Sequence, residues 1–181
     1  ATLRNTPNLY NWRPADLTET AVAWRAAIHS SKNPHTLILS RQSLPKLPLT
    51  ENKLEEVAKG GYLLAQNDHP ILQIIASGSE VGAALKAREI LGIKNINVVS
   101  MPCLDLFNEQ DQAYKDSVVL PNVPKLFVEM SHPNSWGLMA SSTDKILGIS
   151  TFGESAPGEV LIHEFGFDPE NIALEARNLI G

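Results

Sequence analysis

The chain has 181 residues, of which 43% are hydrophobic and 19% are charged, and its formal net charge is -5. This length and composition predict a folded protein with a substantial core and exclude a disordered tail. They also exclude two kinds of partner. The lysines and arginines are scattered singly, without the basic stripe that follows a nucleic acid backbone, and no apolar run approaches the roughly 18 residues of a membrane span.

The first predicted elements are a helix and a strand. Asp16 and Glu19 have the spacing at which two side chains satisfy the free backbone NH groups of a helix start, and apolar residues follow at helical spacing. We expect a helix from Asp16 to about His29. After a breaker cluster, residues 36–39 form a short apolar run typical of strands buried on both faces, and this strand is predicted to end at Ser40-Arg41.

The region from Gln42 to about His69 contains two prolines and the pair Gly60-Gly61, and its periodicity is weak. We therefore expect a connecting segment that holds a domain boundary. Beyond it, strands and helices are predicted to alternate. The expected elements are strand 71–76, helix 79–91, strand 96–100, helix 108–116, strand 125–129, helix 135–146, strand 149–151 and helix 168–179. This order is typical of an α/β fold, a mostly parallel sheet covered by helices.

Arg41 is the residue best placed to touch a ligand. It follows a predicted buried strand, and in open α/β sheets ligands collect outside the carboxyl ends of the strands. A guanidinium group stays charged and offers a planar fork of donors that suits phosphate or carboxylate oxygens. The alternative interpretation is a surface arginine that pairs with a nearby carboxylate.

Weaker candidates lie in two loops. Ser77-Gly78-Ser79-Glu80 joins a strand to a helix, where backbone NH groups can hold an anion, but it lacks the glycine spacing of a dinucleotide site and the lysine of a P-loop. We favour the interpretation that Ser79 caps its own helix. Glu154 is a candidate general acid or base only if it is buried, and a carboxylate that braces its loop is the favoured interpretation.

The histidines and the single cysteine give no catalytic pattern. The five histidines are too dispersed for a metal site, and the adjacency of Ser131 and His132 does not indicate a hydrolase triad. Cys103 has no disulfide partner in the chain. A lone cysteine without a secretory signal is typical of a reducing compartment, so we expect a cytoplasmic protein in which Cys103 is a small buried hydrophobic residue.

Several strings, in their order and spacing, resemble the C-terminal part of transketolase. They are Trp12-Arg13-Pro14-Ala15-Asp16, Leu37-Ile38-Leu39-Ser40-Arg41-Gln42, Gly60-Gly61-Tyr62, Ser77-Gly78-Ser79-Glu80-Val81, Val98-Val99-Ser100-Met101-Pro102, Phe152-Gly153-Glu154-Ser155-Ala156-Pro157 and Phe165-Gly166-Phe167. By this resemblance residues 1–50 end the family's pyrimidine-binding domain, residues 51–69 are a linker, and residues 70–181 are the transketolase C-terminal domain.

The resemblance implies an enzyme of the pentose phosphate pathway. The family transfers two-carbon ketol units between sugar phosphates, with thiamine diphosphate and magnesium or calcium, as a homodimer. Arg41 matches the arginine that binds the phosphate of the sugar substrate. The catalytic, cofactor-binding and metal-binding residues of the family lie in parts that this chain does not match. We therefore expect the 181 residues by themselves to bind no cofactor and to be inactive.

Two alternatives stay open. The first is a non-catalytic α/β module that supports dimerisation or binds a regulator. The second keeps an enzyme but changes the relative, because dehydrogenase β-subunits and deoxyxylulose-phosphate synthases share this domain order. Trp12-Arg13-Pro14 and the string from Phe152 to Pro157 favour transketolase over both of those relatives.

Overall fold

The computed structural model describes residues 2–48, 53–93 and 95–181. In the N-terminal part, strand β1 (Tyr10–Trp12) pairs in parallel with strand β2 (His35–Leu37). Helix α1 (Leu17–His29) connects these two strands, so this part forms a βαβ unit. A short 3-10 helix, Leu3–Asn5, precedes it.

The start of α1 has the capping arrangement that the sequence predicts. Oδ1 of Asp16 accepts the NH of Glu19 at 2.8 Å, and Oε2 of Glu19 accepts the NH of Ala15 at 2.7 Å. Two backbone donors that the helix cannot satisfy by itself are thereby paired. The predicted helix 16–29 is confirmed.

The larger sheet has five strands in the order β3-β5-β4-β6-β7. Only β3 runs antiparallel to its neighbour, β5, and the other pairings are parallel. The strands are β3 (Tyr62–Ala65), β4 (Leu72–Ala76), β5 (Ile96–Ser100), β6 (Lys125–Val128) and β7 (Lys145–Leu147). The predicted fold class, a mostly parallel mixed sheet covered by helices, is confirmed.

Six further α-helices and a second 3-10 helix surround this sheet in the described part of the chain. They are α2 (Leu54–Ala58), α3 (Glu80–Leu91), α4 (Leu104–Asn108), α5 (Gln112–Val118), the 3-10 helix Pro133–Trp136, α6 (Gly158–Glu164) and α7 (Pro169–Ile180). None of the helices within the described residues is long and apolar enough to cross a membrane.

The sheet separates two hydrophobic cores. Side chains of successive strand residues point to opposite faces, so Ile74 joins one core and its neighbour Ile75 joins the other. The larger core also contains buried residues of α3 and α7, together with Trp12 and Val22 of the N-terminal unit. The N-terminal unit and the five-stranded sheet therefore share one core.

The prediction for residues 36–39 was wrong in its bounds and burial. The strand occupies His35–Leu37, its residues are half-buried, and Ile38 and Leu39 are 43% and 52% exposed. Within the described residues its sheet has two strands only, so β2 has a single neighbouring strand, β1. Strand β1 was not predicted, because its three residues are too few to show a clear alternation of apolar and polar side chains.

The prediction of a connecting segment from 42 to 69 was also wrong, because α2 and β3 lie within it. The pair Gly60-Gly61 had suggested a breaker. In the structure a β-carbon on Gly60 would lie 2.6 Å from the backbone N of Phe107, and one on Gly61 would meet Met101. These glycines allow a close approach between β3 and the β5–α4 connection.

Three predictions in the C-terminal part need correction. Helix 108–116 is two short helices, α4 and α5, because Asp111 starts a new helix by accepting the NH of Tyr114. Residues 135–146 are not a helix. The strand predicted at 149–151 lies instead at Lys145–Leu147, where it pairs with β6, and α6 was missed.

Candidate functional site

Arg41 lies beyond the end of β2, in a stretch without regular secondary structure. The residue is exposed, and in the described part of the chain its side chain has no hydrogen bond or ion pair. Among the described residues no carboxylate pairs with Arg41, so nothing there supports the alternative interpretation of a surface ion pair. A free guanidinium in this position is available to an anionic ligand.

Arg41 lines a cleft of about 940 Å³ that the N-terminal unit forms with the larger sheet's helices. Lys86 of α3 lines the same cleft and, like Arg41, has no ion-pair partner within residues 2–48, 53–93 and 95–181. The lining also includes Arg13, which pairs with the buried Glu80, and the exposed Glu159. Its cations exceed its carboxylates by one, which favours an anionic occupant. The C-terminal wall includes Ser79, Ala156, Pro157 and Gly158.

The segment that carries Arg41 is held at several points. The NH of Gln42 donates to Oγ of Ser40 at 3.1 Å, and the same hydroxyl donates to Oε1 of Gln42 at 3.2 Å. Farther along, the NH of Leu47 donates to Oδ2 of Asp16 at 3.0 Å. Asp16 therefore caps α1 with one carboxylate oxygen and fixes this segment with the other.

The start of α3 is not an anion cradle of the kind considered for Ser77-Gly78-Ser79-Glu80. The Ser79 side chain makes no capping bond, so the favoured interpretation was wrong, and its hydroxyl donates to Oε2 of Glu80 at 3.1 Å. Oε1 of Glu80 accepts the NH of Met130 at 2.9 Å. The side chain of Glu80 thus already occupies this helix N-terminus and uses both of its carboxylate oxygens as acceptors.

A buried charge network joins the N-terminal unit to the larger sheet. Arg13 donates to Glu129 at 2.5 Å and to Glu80 at 3.3 Å, and Arg4 donates to the second oxygen of Glu129 at 2.7 Å. The side chains of Glu80 and Glu129 are 0% and 3% exposed. Because buried charges are costly unless paired, the two arginines and two glutamates stabilise one another as a set.

The two glutamates of this network have opposite pKa shifts. Burial raises the pKa of Glu129, but the charges of Arg4 and Arg13 and their hydrogen bonds outweigh burial and hold the pKa below its usual range. For Glu80 burial is the stronger influence, so its pKa lies above its usual range despite the charge of Arg13. Glu129 is therefore the carboxylate whose ionised form the fold stabilises.

Glu19 forms a second buried connection between the same two parts. Its Oε1 accepts hydrogen bonds from the hydroxyls of Tyr62 at 2.8 Å and Ser100 at 2.6 Å. Burial raises the pKa of Glu19, although these donors and the NH of Ala15 oppose the rise. Because α1, β3 and β5 each contribute a group, this cluster fixes α1 against the sheet edge.

The remaining candidate residues show no catalytic arrangement. Cys103 is buried, and burial raises the pKa of its thiol to about 12, so the interpretation of a small buried hydrophobic residue is confirmed. Glu154 is exposed, and its side chain makes no hydrogen bond or ion pair with the described residues. This contradicts the favoured interpretation of a carboxylate that braces its loop. His132 accepts the NH of Asn134, while Ser131 donates to Ser135, so the adjacent pair is not a nucleophile and its base.

Five cooperating residues were not predicted from the sequence: Arg4, Arg13, Glu80, Glu129 and Glu19. Arg13 and Glu129 are 116 residues apart in sequence, and Glu19 and Tyr62 are 43 apart. No local spacing connects such residues. The only signal was the string Trp12-Arg13-Pro14-Ala15-Asp16, which marked Arg13 without indicating its partners.

Two family descriptions match the chain. The "Transketolase-like TK C-terminal domain" matches residues 60–168, and the "Transketolase, pyrimidine binding domain" matches residues 1–46. Among curated proteins, transketolase from Bacillus subtilis (strain 168) is 44% identical over 186 residues, and transketolase 1 from Vibrio vulnificus (strain YJ016) is 43% identical over 184 residues. Each match covers 99% of this chain and 28% of the relative.

Solved structures show the same similarity. A Pichia stipitis transketolase mutant, H261F, has a TM-score of 0.91 at 38% identity, and the match covers 99% of this chain and 26% of that one. The Campylobacter jejuni enzyme has a TM-score of 0.84 at 32% identity, with 98% and 27% covered. The chain thus spans little more than a quarter of the length of the relatives it matches.

Proposed function

Since this chain belongs to the transketolase family, we propose that it forms the C-terminal part of an enzyme that transfers two-carbon ketol units between sugar phosphates. Within that enzyme Arg41 binds the phosphate group of the sugar. The observation that carries this proposal is the exposed guanidinium of Arg41, which has no ion pair with any described residue and lies at the wall of a large cleft. Related transketolases have been solved with sedoheptulose-7-phosphate and with fructose-6-phosphate, which are ligands of the class that Arg41 suits.

Thiamine diphosphate and magnesium or calcium belong, in this proposal, to other parts of the enzyme. A diphosphate bound through a divalent metal needs several oxygen ligands around the ion. No group of three His, Cys, Asp or Glu side chains in the described segments is arranged to hold a metal. The described residues therefore do not fit the metal through which the diphosphate is bound. The role of this chain is to bind and orient substrate and to complete the fold.

The finer features of the enzyme belong to the same proposal. They are the homodimer, the cytoplasm, the pentose phosphate pathway and the domain division into residues 1–50, 51–69 and 70–181. In this division β3, which lies within 51–69, belongs with the C-terminal domain because it pairs with β5. We further propose that the 181 residues by themselves are inactive, because the residues that carry the chemistry in this family match no part of the chain.

The test is a chimeric enzyme in which residues 1–181 replace the matching 186 residues of the Bacillus subtilis transketolase. We expect ketol transfer between sugar phosphates. We also expect Arg41→Ala to raise the KM for phosphorylated sugars about ten-fold or more, because bonds to a charged group are lost. Arg177→Ala, which removes an exposed arginine of α7, is the matched control. An unchanged KM in the Arg41→Ala enzyme would remove Arg41 from the site.

The second candidate is a non-catalytic structural module. It is favoured by the outer face of α1, where Leu17, Trp24 and Ile28 are 82%, 54% and 74% exposed. Such a face is typical of a surface that another protein surface covers. An active chimera supports the enzyme, whereas a folded chimera that transfers no ketol unit supports the module.

A further inference from the structure

We propose that Gln42 is a positioning residue for Arg41, and that it acts by resting on Gly158 at the start of α6. This inference deepens the proposed function and depends on it, because it concerns how the phosphate-binding arginine is held. It assigns the C-terminal residues a part in substrate recognition.

Arg41 lies between two residues that are hydrogen bonded to each other. Its two neighbours are bonded to each other, since the hydroxyl of Ser40 accepts the NH of Gln42 at 3.1 Å and donates to Oε1 of Gln42 at 3.2 Å. These bonds enclose Arg41 in a small turn. The orientation of the Arg41 backbone therefore depends on where the Gln42 side chain lies.

The side chain of Gln42 lies close to Gly158 at the start of α6. A β-carbon on Gly158 would lie 2.6 Å from Nε2 and 3.3 Å from Cδ of Gln42, so the amide occupies the space that any other residue at 158 would fill. Gly158 has no positive φ angle that would require glycine. The close approach of Gln42 thus explains why position 158 is occupied by glycine.

Pro45 of the same segment lies near a second glycine. A β-carbon on Gly82 of α3 would lie 3.6 Å from Cγ of Pro45, which is ordinary van der Waals distance. Gln42 therefore packs against the start of α6 and Pro45 lies near α3, and both helices line the cleft with Arg41. An arginine held in this way loses less conformational entropy on binding a phosphate than one on a free loop.

The first test uses the 181-residue chain and trypsin, which cleaves the Arg41–Gln42 bond. In Gly158→Leu the new side chain displaces Gln42 without altering the residues at the scissile bond. We expect trypsin to cleave this bond about five-fold faster. Displacing Gln42 breaks its side-chain hydrogen bond with Ser40. When cleavage follows local opening, the loss of one hydrogen bond between neutral groups changes the rate by about that factor. Gly153→Leu is the matched control, because a β-carbon on Gly153 meets nothing within 4 Å.

Cleavage after the exposed Lys32, at the Lys32–Asn33 bond, is the internal reference. An unchanged rate at Arg41–Gln42 in Gly158→Leu overturns the inference. If trypsin cleaves both bonds faster by the same factor, Gly158→Leu has unfolded the chain. The Ser40→Ala variant is then measured instead. That change removes the bonds to Gln42 from the other side, and a five-fold increase confined to Arg41–Gln42 is again expected, whereas no increase overturns the proposal.

The second test separates this inference from the proposed function. In the chimeric enzyme we expect Gln42→Ala to raise the KM for a phosphorylated sugar about five-fold, with kcat and the KM for an unphosphorylated ketol donor unchanged. Gln66→Ala, at another exposed glutamine, is the control. If Arg41→Ala raises this KM and Gln42→Ala does not, only the positioning role fails. If neither does, the phosphate-binding role of Arg41 fails.

Discussion

The carboxylate of Glu19 in α1 accepts a hydrogen bond of 2.8 Å from the hydroxyl of Tyr62 in β3. Both side chains are buried, and Ser100 of β5 donates to the same carboxylate oxygen. A helix of the N-terminal unit is thereby tied to two strands of the larger sheet. Since the cleft beside Arg41 lies between these parts, connections of this kind keep its walls in place.

Tyr62→Phe tests this connection. The change removes one buried donor to Glu19 and should lower the free energy of unfolding by about 1 to 3 kcal/mol. The measurement is urea denaturation followed by circular dichroism. Tyr10→Phe is the matched control, because the Tyr10 hydroxyl donates to Glu109 at the surface, where the loss should stay below about 1 kcal/mol. Equal effects of the two changes would contradict a special role of the buried pair.

Glu129→Gln tests the charge network. It leaves Arg4 and Arg13 buried without their shared carboxylate, so we expect a loss of about 3 kcal/mol or more in the free energy of unfolding. Glu175→Gln removes a more exposed carboxylate that pairs with Lys145, and its cost should be at most about 1 kcal/mol. A small effect of Glu129→Gln would show that water or rearranged side chains replace the carboxylate.

The stabilisation from Glu129 should depend on pH. Its pKa in the folded chain is lower than the usual value of 4.5, so its contribution is complete above that value and is lost as the pH falls through the folded-state pKa. The difference in unfolding free energy between the unmodified chain and Glu129→Gln should therefore shrink below pH 4.5. Urea denaturation at a series of pH values measures it, and a difference that grows on acidification would have the wrong sign.

Glu19 should behave in the opposite way. Burial raises its pKa, so the folded chain holds this proton more tightly than the unfolded chain does. Its contribution to stability therefore decreases as the pH rises from the usual carboxyl range through the folded-state pKa. Relative to the unmodified chain, Glu19→Gln should gain stability as the pH rises through that range. A relative loss over the same range would contradict the raised pKa.

Cys103 should be unreactive in the folded chain. Burial raises the pKa of its thiol to about 12, so little thiolate forms near neutral pH and reagents have no access. A colorimetric thiol reagent at pH 8 should modify the chain slowly without denaturant and fast in urea. Fast modification under both conditions would show that the region around Cys103 opens readily.

The parts of the fold that the sequence predicted well are those with strong local signals. Helix α1 has its Asp16 cap, α3 ends at Gly92 in a left-handed conformation with a φ of 65°, and α7 begins at the Asp168 cap. Each signal acts within one turn of helix and needs no distant partner. Strands β4 and β5 were also recognised, because fully buried parallel strands are continuous apolar runs.

The elements that were missed depend on partners far along the chain. Strand β3 forms because it pairs with β5, and β7 because it pairs with β6. The turn before β7 is held by Asp144, whose carboxylate accepts the NH of Lys125 and the NH of Ser141. Tertiary pairing therefore overrode weak local preferences in these short segments.

The α/β class, the helix caps and Arg41 as the candidate for anion binding could all be predicted from the sequence, because they depend on residue chemistry and short spacings. The folded structure was needed to show that Arg41 lines a cleft and has no ion pair among the described residues. It was also needed to show that Glu129 pairs with both Arg4 and Arg13, and that Gln42 packs against Gly158. Burial and pairing are properties of groups that folding brings together from distant positions, and no local pattern specifies them.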